Sequence, residues 1–315
     1  MPSSFTPNQH SELIKQGYLP FLAPAKINLF LHVLGRKENG YHLLQSAFRL
    51  VDLHDTIYLK VRHDKQINRY NDIQDIPVEK DLCVLAAKTL QEYSNCNLGV
   101  DIAIDKRIPM GGGLGGGSSD AASVLIALNQ LWKLNLSRAV LMDLGLKLGA
   151  DVPFFIFGKN AWVEGVGEKM QALPLPAEYY TIMTPKTHVS TAEIFSAEEL
   201  TRNTFPTTIA AFSEMWFGKE QQKSESSGEK QIFRNDLQAV VCKRYPAVAA
   251  CLDWLNQFNT SNMSGSGASV FAAFSDINKA QQVIDKVPQK IANAEVFCCL
   301  ALGLDQHPLY NLIAN

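Results

Sequence analysis

The chain has 315 residues, of which 46% are hydrophobic and 19% charged, with a formal net charge of -2. At ~150 residues per domain this length predicts about two domains and a core that needs no disulfide staples. The near-neutral balance excludes nucleic acid as an obligatory partner, because a phosphate backbone selects clustered basic charge, but it leaves room for a basic pocket around a small phosphorylated ligand.

No stretch reaches the ~18 uncharged apolar residues that a membrane helix needs. The N-terminus lacks the basic-then-apolar pattern of a secretory signal. Six cysteines and seven histidines are scattered, with no C-x-x-C pair, so neither a zinc-ligand spacing nor a disulfide framework is visible. The expectation is a cytoplasmic protein with reduced thiols and no membrane partner.

Residues 1–18 are polar and read as an extension. Residues 21–35 predict a strand by period-2 alternation. Phe21, Ala23, Ala25, Ile27, Leu29, Leu31 and Val33 share one face, and Lys26, Asn28, Phe30 and His32 the other. Strands are expected at 47–53, 56–61 and 100–104, and a helix at 81–93. A glycine cluster precedes a helix over 119–131, where Ala121, Val124, Leu125 and Leu128 form a stripe. A further helix covers 137–148, with Ser137 as N-cap. Residues 154–157 and 161–166 read as a hairpin around Gly158-Lys159-Asn160. Pro174 and Pro176 mark a domain boundary, dividing the chain into 1–176 and 177–315. Beyond it come a strand at 179–183, a polar exposed loop insertion at 218–231, helices at 236–245 and 247–258, and a strand at 270–274. Without strict βαβ alternation the expected class is α+β.

Four segments could carry chemistry. The first runs Pro109-Met110-Gly111-Gly112-Gly113-Leu114-Gly115-Gly116-Gly117-Ser118-Ser119, with six glycines in seven positions. Such a loop opening a helix turns its N–H groups toward one concavity, and the helix N-terminus adds its positive end, which makes an anion cradle. A flexible surface loop is the alternative. A Walker loop needs a Lys before Ser118, and a Rossmann loop needs an acid ~20 positions on; residues 135–141 hold none. Protein-kinase loops come with H-R-D and D-F-G, which are absent. The second segment is Gly149-Ala150-Asp151-Val152-Pro153, an acid among apolar neighbours at a helix-to-strand junction. Asp151 could be a general base or a turn residue. The third is Lys26 with Asn28 on the polar face of the first strand, where a lysine could also be a snorkelling edge residue. The fourth, Ser264-Gly265-Ser266-Gly267, could close over phosphates or simply form a tight turn.

Together these segments resemble the GHMP kinase superfamily, which includes the galactose, homoserine and mevalonate kinases. They are most similar to the branch whose substrate carries a cytidine diphosphate. The resemblance rests on Pro24-Ala25-Lys26-Ile27-Asn28-Leu29, Gly40-Tyr41-His42, Asp105-Lys106-Arg107-Ile108-Pro109-Met110 with the glycine cluster, Leu148-Gly149-Ala150-Asp151-Val152-Pro153, and Glu164-Gly165-Val166-Gly167-Glu168. It implies an ATP-binding N-terminal domain (ribosomal protein S5 domain 2-like) beside a smaller α+β domain, with the active site in the cleft. It also implies ATP-dependent phosphorylation of the 2-hydroxyl of a cytidylyl sugar alcohol, in the isoprenoid precursor pathway. Asp151 would be the base and Lys26 the charge stabiliser. Pro109 to Ser119 would hold ATP, with Mg²⁺ screening the phosphates. Asn28, Tyr41, His42, Lys106 and Phe195 would contact the substrate, Tyr41 and Phe195 sandwiching cytosine. Asp81-Leu82 stands where the family often has Asn-Leu near the adenine. The implied partner is a small molecule, and the chain a monomer or weak homodimer. Another small alcohol as substrate, or a nucleotide-binding regulator without catalysis, are the alternative readings.

Overall fold

The structure is a computed structural model that describes residues 5–38, 40–73, 76–217 and 233–313. The polar stretch at 218–231 lies outside the described residues.

The chain opens with helix α1 (Pro7–Lys15), capped by Thr6 in a box with Gln9. The segment read as an extension is packed: Phe5, Leu13 and Tyr18 cluster with Tyr58 and Ala103. Strands β1 (Leu19–Arg36) and β2 (His42–Arg62) then pair antiparallel along almost their whole length. The two strands expected within 47–61 are one bent strand, because β2 changes partners part-way. Its first part pairs with β5 (Ala161–Gly165) and its second with β4 (Gly99–Asp105).

Register shifts in β1 fall between Pro24 and Ala25 and between Asn28 and Phe30. A bulge moves all later side chains to the opposite face, so the single apolar face expected of β1 does not form. Ile27, Leu29 and Phe30 share one cluster, whereas Leu31 and Val33 belong to another. The same shift aligns Leu31 with Lys26 and Asn28, and all three line one cavity.

After β3 (Ile67–Arg69) comes α2 (Leu82–Ser94), with Asp81 accepting from the Cys83 N–H as N-cap. Helix α3 (Gly116–Leu131) starts inside the glycine cluster, earlier than its apolar stripe suggests. Helix α4 (Arg138–Leu146) has the expected Ser137 cap. Residues 152–157 are helical, α5 (Val152–Phe157), not a hairpin arm. Pro153 suits a helical first turn, and Gly158 at φ 73° closes the helix in the left-handed region. Strand β5 pairs instead with β6 (Lys169–Ala172). Asp151 thus sits between two helices, not between a helix and a strand.

Strand β7 (Tyr179–Pro185) is followed by α6 (Thr191–Ser196), α7 (Ile209–Phe217), α8 (Gln238–Arg244) and α9 (Pro246–Leu255). Then come β8 (Ser261–Met263), β9 (Val270–Phe274), α10 (Ile277–Ile284), β10 (Lys290–Ile291) and β11 (Ala294–Leu304). The strands run in the order β3-β4-β2-β11-β7-β9-β8, so β11 joins the two ends of the sheet.

Three apolar layers result. Helices α2 to α5 cover one face of β2 and β4. Side chains of β1, β7 and β9, such as Ile27, Tyr180 and Phe271, fill the middle. Helices α8 to α10 cover the outer face of β7 and β9. Past β11 the chain returns to the first layer, where Leu309 and Ile313 join the cluster built on α3. The Arg138 Nη2 donates to the Tyr310 carbonyl at 2.9 Å.

Candidate active site

The glycine loop is held from two sides. The Lys26 N–H on β1 donates to the Leu114 carbonyl at 2.9 Å, and the Ser269 N–H donates to the Gly112 carbonyl at 3.0 Å. The Ser264 hydroxyl donates to the Gly113 carbonyl at 2.9 Å. The late small-residue loop therefore braces the glycine loop from behind. Glycine is required at Gly113: its φ is 74°, and a Cβ there would lie 2.3 Å from the Ser264 carbonyl oxygen. Gly115, at φ 73°, is the N-cap of α3, whose first N–H groups are left for a ligand.

Two cavities meet at this loop. The larger, about 990 Å³, lies toward β1, β2 and α6, and the smaller, about 480 Å³, toward α2. Gly111, Gly113, Gly115 and Ser118 line both. Pro109, Met110, Gly112, Leu114, Gly116 and Gly117 line the smaller one only. Ser119 lines neither; it is buried, and its hydroxyl donates to the Pro24 carbonyl at 2.6 Å.

Lys26 and Asp151, 125 positions apart in the chain, converge in the larger cavity. The Lys26 Nζ lies 3.4 Å from the Asp151 Oδ2 and donates to the Asn28 Oδ1 at 2.6 Å. It also sits 4.6 Å above the Phe48 ring. The lysine side chain is 5% exposed and the aspartate 37%, so the cation is fixed in protein while the carboxylate opens to the cavity. Asn28 is oriented in turn by donating to the Ser46 hydroxyl at 3.1 Å. A carboxylate held by an ammonium beside an anion cradle can accept a proton from a hydroxyl while the ammonium offsets charge on a transferring group.

Tyr41, His42 and Phe195 line the same cavity. The His42 and Phe195 rings are 5.0 Å apart and tilted by 35°. Lys106 does not join them. It lines the smaller cavity, where its Nζ donates to Asp120 Oδ2 at 2.7 Å and also to Asp55. Burial alone would lower its pKa, but the Asp120 and Asp55 carboxylates outweigh that and hold the ammonium above its ordinary range. Asp55 also accepts from the Ile108 N–H at 2.8 Å, so this buried group anchors the entry to the glycine loop. Asp81 lines the smaller cavity too, with its carboxylate engaged by the Cys83 N–H at 2.8 Å and by Arg69 at 2.9 Å.

Sequence reasoning missed Asp55, Asp120 and Arg202. Asp120 stands directly after the glycine-serine run, which is a signal that could have paired it with Lys106. Arg202 lies between helices, without any local pattern. Among the described residues no helix is long and apolar enough to cross a membrane. No group of three or more metal-ligating side chains occurs among them either.

A backbone anion cradle facing a lysine–carboxylate pair across two joined cavities defines a phosphotransferase for small molecules. The models of the GHMP kinases N-terminal domain and the GHMP kinases C-terminal domain match residues 81–159 and 209–293. The chain belongs to the GHMP kinase family, whose phosphate donor is ATP. It is 49% identical over 293 residues to a 4-diphosphocytidyl-2-C-methyl-D-erythritol kinase of Paraburkholderia phymatum, covering 93% of this chain and 96% of the relative. A protein of the same name from Ralstonia pickettii is 51% identical, covering 91% and 94%. Among solved structures, a 4-(cytidine 5'-diphospho)-2C-methyl-D-erythritol kinase superposes with a TM-score of 0.76 at 29% identity, covering 91% of this chain and 100% of that one. A mevalonate kinase at 16% identity and a TM-score of 0.62, covering 90% and 99%, shares the fold. The α+β class and the two-part kinase fold implied by the sequence are those of the structure.

Proposed function

We propose that this chain transfers the γ-phosphoryl group of ATP to the 2-hydroxyl of 4-diphosphocytidyl-2-C-methyl-D-erythritol, within isoprenoid precursor synthesis. The observation that carries the reading is the Lys26–Asp151 pair, 3.4 Å apart beside the glycines that line both cavities. ATP occupies the smaller cavity and the alcohol the larger, so the terminal phosphorus and the hydroxyl meet at Gly113, Gly115 and Ser118.

In this mechanism Asp151 accepts the hydroxyl proton as the oxygen attacks. The new O–P bond forms while the bond to the ADP oxygen breaks. Lys26 offsets charge on the transferring group, and the free N–H groups of the glycine loop and α3 hold the phosphates. Phosphoryl transfer needs little more than such positioning and charge stabilisation. Ser118, which lines both cavities, would help hold Mg²⁺ through the waters that such an ion keeps, and the ion would supply charge screening for the phosphates. The cytosine lies against Tyr41, His42 and Phe195. Lys106, paired with Asp55 and Asp120, supports the ATP side instead of touching the cytidine diphosphate. An ATP requirement and cysteines that are free of disulfides support a cytoplasmic enzyme. Its two halves divide after Pro176, and it acts as a monomer or weak homodimer.

ADP release measured with ATP and the cytidylyl alcohol tests the reading, with homoserine and mevalonate as competing acceptors. Turnover confined to either competitor would reject the substrate. Asp151→Asn is expected to lower kcat by ~10²–10⁴ with little change in either KM, the range for a positioned base. Near-normal turnover would remove Asp151 from that role.

A further inference from the structure

Arg202 connects the two parts of the larger cavity that carry His42 and Phe195. Its Nη2 donates to the carbonyls of Phe195 at 2.9 Å and Ala197 at 2.6 Å, and its Nη1 to that of Leu200 at 3.2 Å. Its Nε donates to the His42 Nε2 at 3.1 Å. A guanidinium has donors only, so the Nε2 it meets must present a lone pair. The proton of the neutral ring then sits on Nδ1. Burial first, then the cations Arg202 and Arg36, hold His42 below the ordinary histidine pKa. Among the described residues Nδ1 has no hydrogen-bond partner, and His42 lines the cavity. Nδ1–H is therefore the ring's remaining polar group for a ligand. The fork cannot easily swing away, because three carbonyls at the end of α6 hold it.

We propose that Arg202 is a positioning residue that locks His42 as an Nδ1–H donor and thereby makes the pocket accept cytosine and refuse uracil. The proposal rests on assigning the larger cavity to the cytidylyl group. The chemistry follows from the two bases. Cytosine N3 carries a lone pair, which a fixed donor can meet. Uracil N3 carries a proton, so two donors would face each other and both would stay unpaired. Rejection through unpaired polar groups is stronger than rejection by shape.

The test compares the cytidylyl alcohol with its uridylyl counterpart, at saturating ATP, for the native enzyme, Arg202→Met and Arg202→Lys. Arg202→Met is expected to raise KM for the cytidylyl substrate about tenfold and to cut the cytosine preference in kcat/KM by at least as much. Arg202→Lys is expected to restore part of the preference, since an ammonium again offers only donors. An equal rise in KM for both bases would mean that Arg202 merely supports the loop, and would overturn the proposal. The ¹⁵N spectrum of His42 in the native enzyme needs no variant. A protonated Nδ1 and a bare Nε2 are expected, and a proton on Nε2 overturns the lock even if the variants misfold. Absence of turnover with both nucleotides in the native enzyme would instead reject the substrate reading, and base selection with it.

Discussion

Tyr41 is 64% exposed in the lining of the larger cavity, while Phe195 is half-buried in the same lining. An exposed aromatic ring contributes little to folding but can stack on a base, an interaction of ~1–3 kcal/mol. Tyr41→Ala is therefore expected to raise KM for the cytidylyl substrate by ~5–100-fold while ATP affinity and melting temperature stay near native. Kinetics with each substrate varied in turn check this, and a loss confined to ATP would move Tyr41 out of the base pocket. At this scale the sequence was legible where a polar side chain interrupts an apolar pattern, as Lys26 and Asn28 do in β1, or where an acid stands among apolar neighbours, as Asp151 does. It was silent on partners. Nothing in the position of Asp55 announces that the fold brings it to Lys106 and Asp120, and the family resemblance alone makes Lys106 read as a substrate contact. Arg202 was equally illegible, because its meaning comes from three carbonyls and a ring 160 positions away.

At the scale of elements, the glycine loop tolerates no side chain at its turning point. A Cβ on Gly115 would lie 2.9 Å from the Phe155 ring and 3.2 Å from the Lys26 Cγ, at a φ of 73° that L-residues avoid. Gly115→Ala thus combines backbone strain with displacement of Lys26, the proposed charge stabiliser. It is expected to cost about 1–3 kcal/mol of stability and to lower kcat at least tenfold, read by denaturant unfolding and by turnover at saturating substrates. A variant as stable and active as the native protein would contradict this account of the turn. Helices α2, α3 and α4 were legible from apolar stripes and from Ser137, which caps α4 as its chemistry requires, whereas the Asp81 cap of α2 emerged only in the structure. Helix α5 was not, because four consecutive apolar residues suit a buried helix as well as a strand. The bulges in β1 left no mark either, since a register shift is set by β2 and by the loops that brace it.

For the molecule as a whole, the tail beyond β11 carries a titration that couples it to the first layer. His307 is fully buried; burial first, then Arg138, lowers its pKa to about 3. The Leu309 N–H donates to its Nδ1 at 3.0 Å, which favours the neutral ring. An unfolded chain takes up the proton near pH 6.5. The native state does so only near 3, so the contribution is complete above about pH 6.5 and is lost as pH falls toward 3. The slope is about 1.4 kcal/mol per pH unit, or about 2 kcal/mol by pH 5. His307→Gln is expected to flatten that part of the acid profile, measured as urea midpoints between pH 8 and 5. An unchanged slope would place the acid sensitivity elsewhere.

That same returning tail has a consequence for how the protein is born. Arg138 and Tyr310, which bond across the first layer, are separated by 172 positions. At synthesis rates of ~5–20 residues per second, the nascent α3 waits on the order of ten seconds or more for Leu309 and Ile313 to emerge and cover it. Until then α3, which opens from the glycine loop, has an open flank, so chaperone capture during translation should concentrate on this unfinished half.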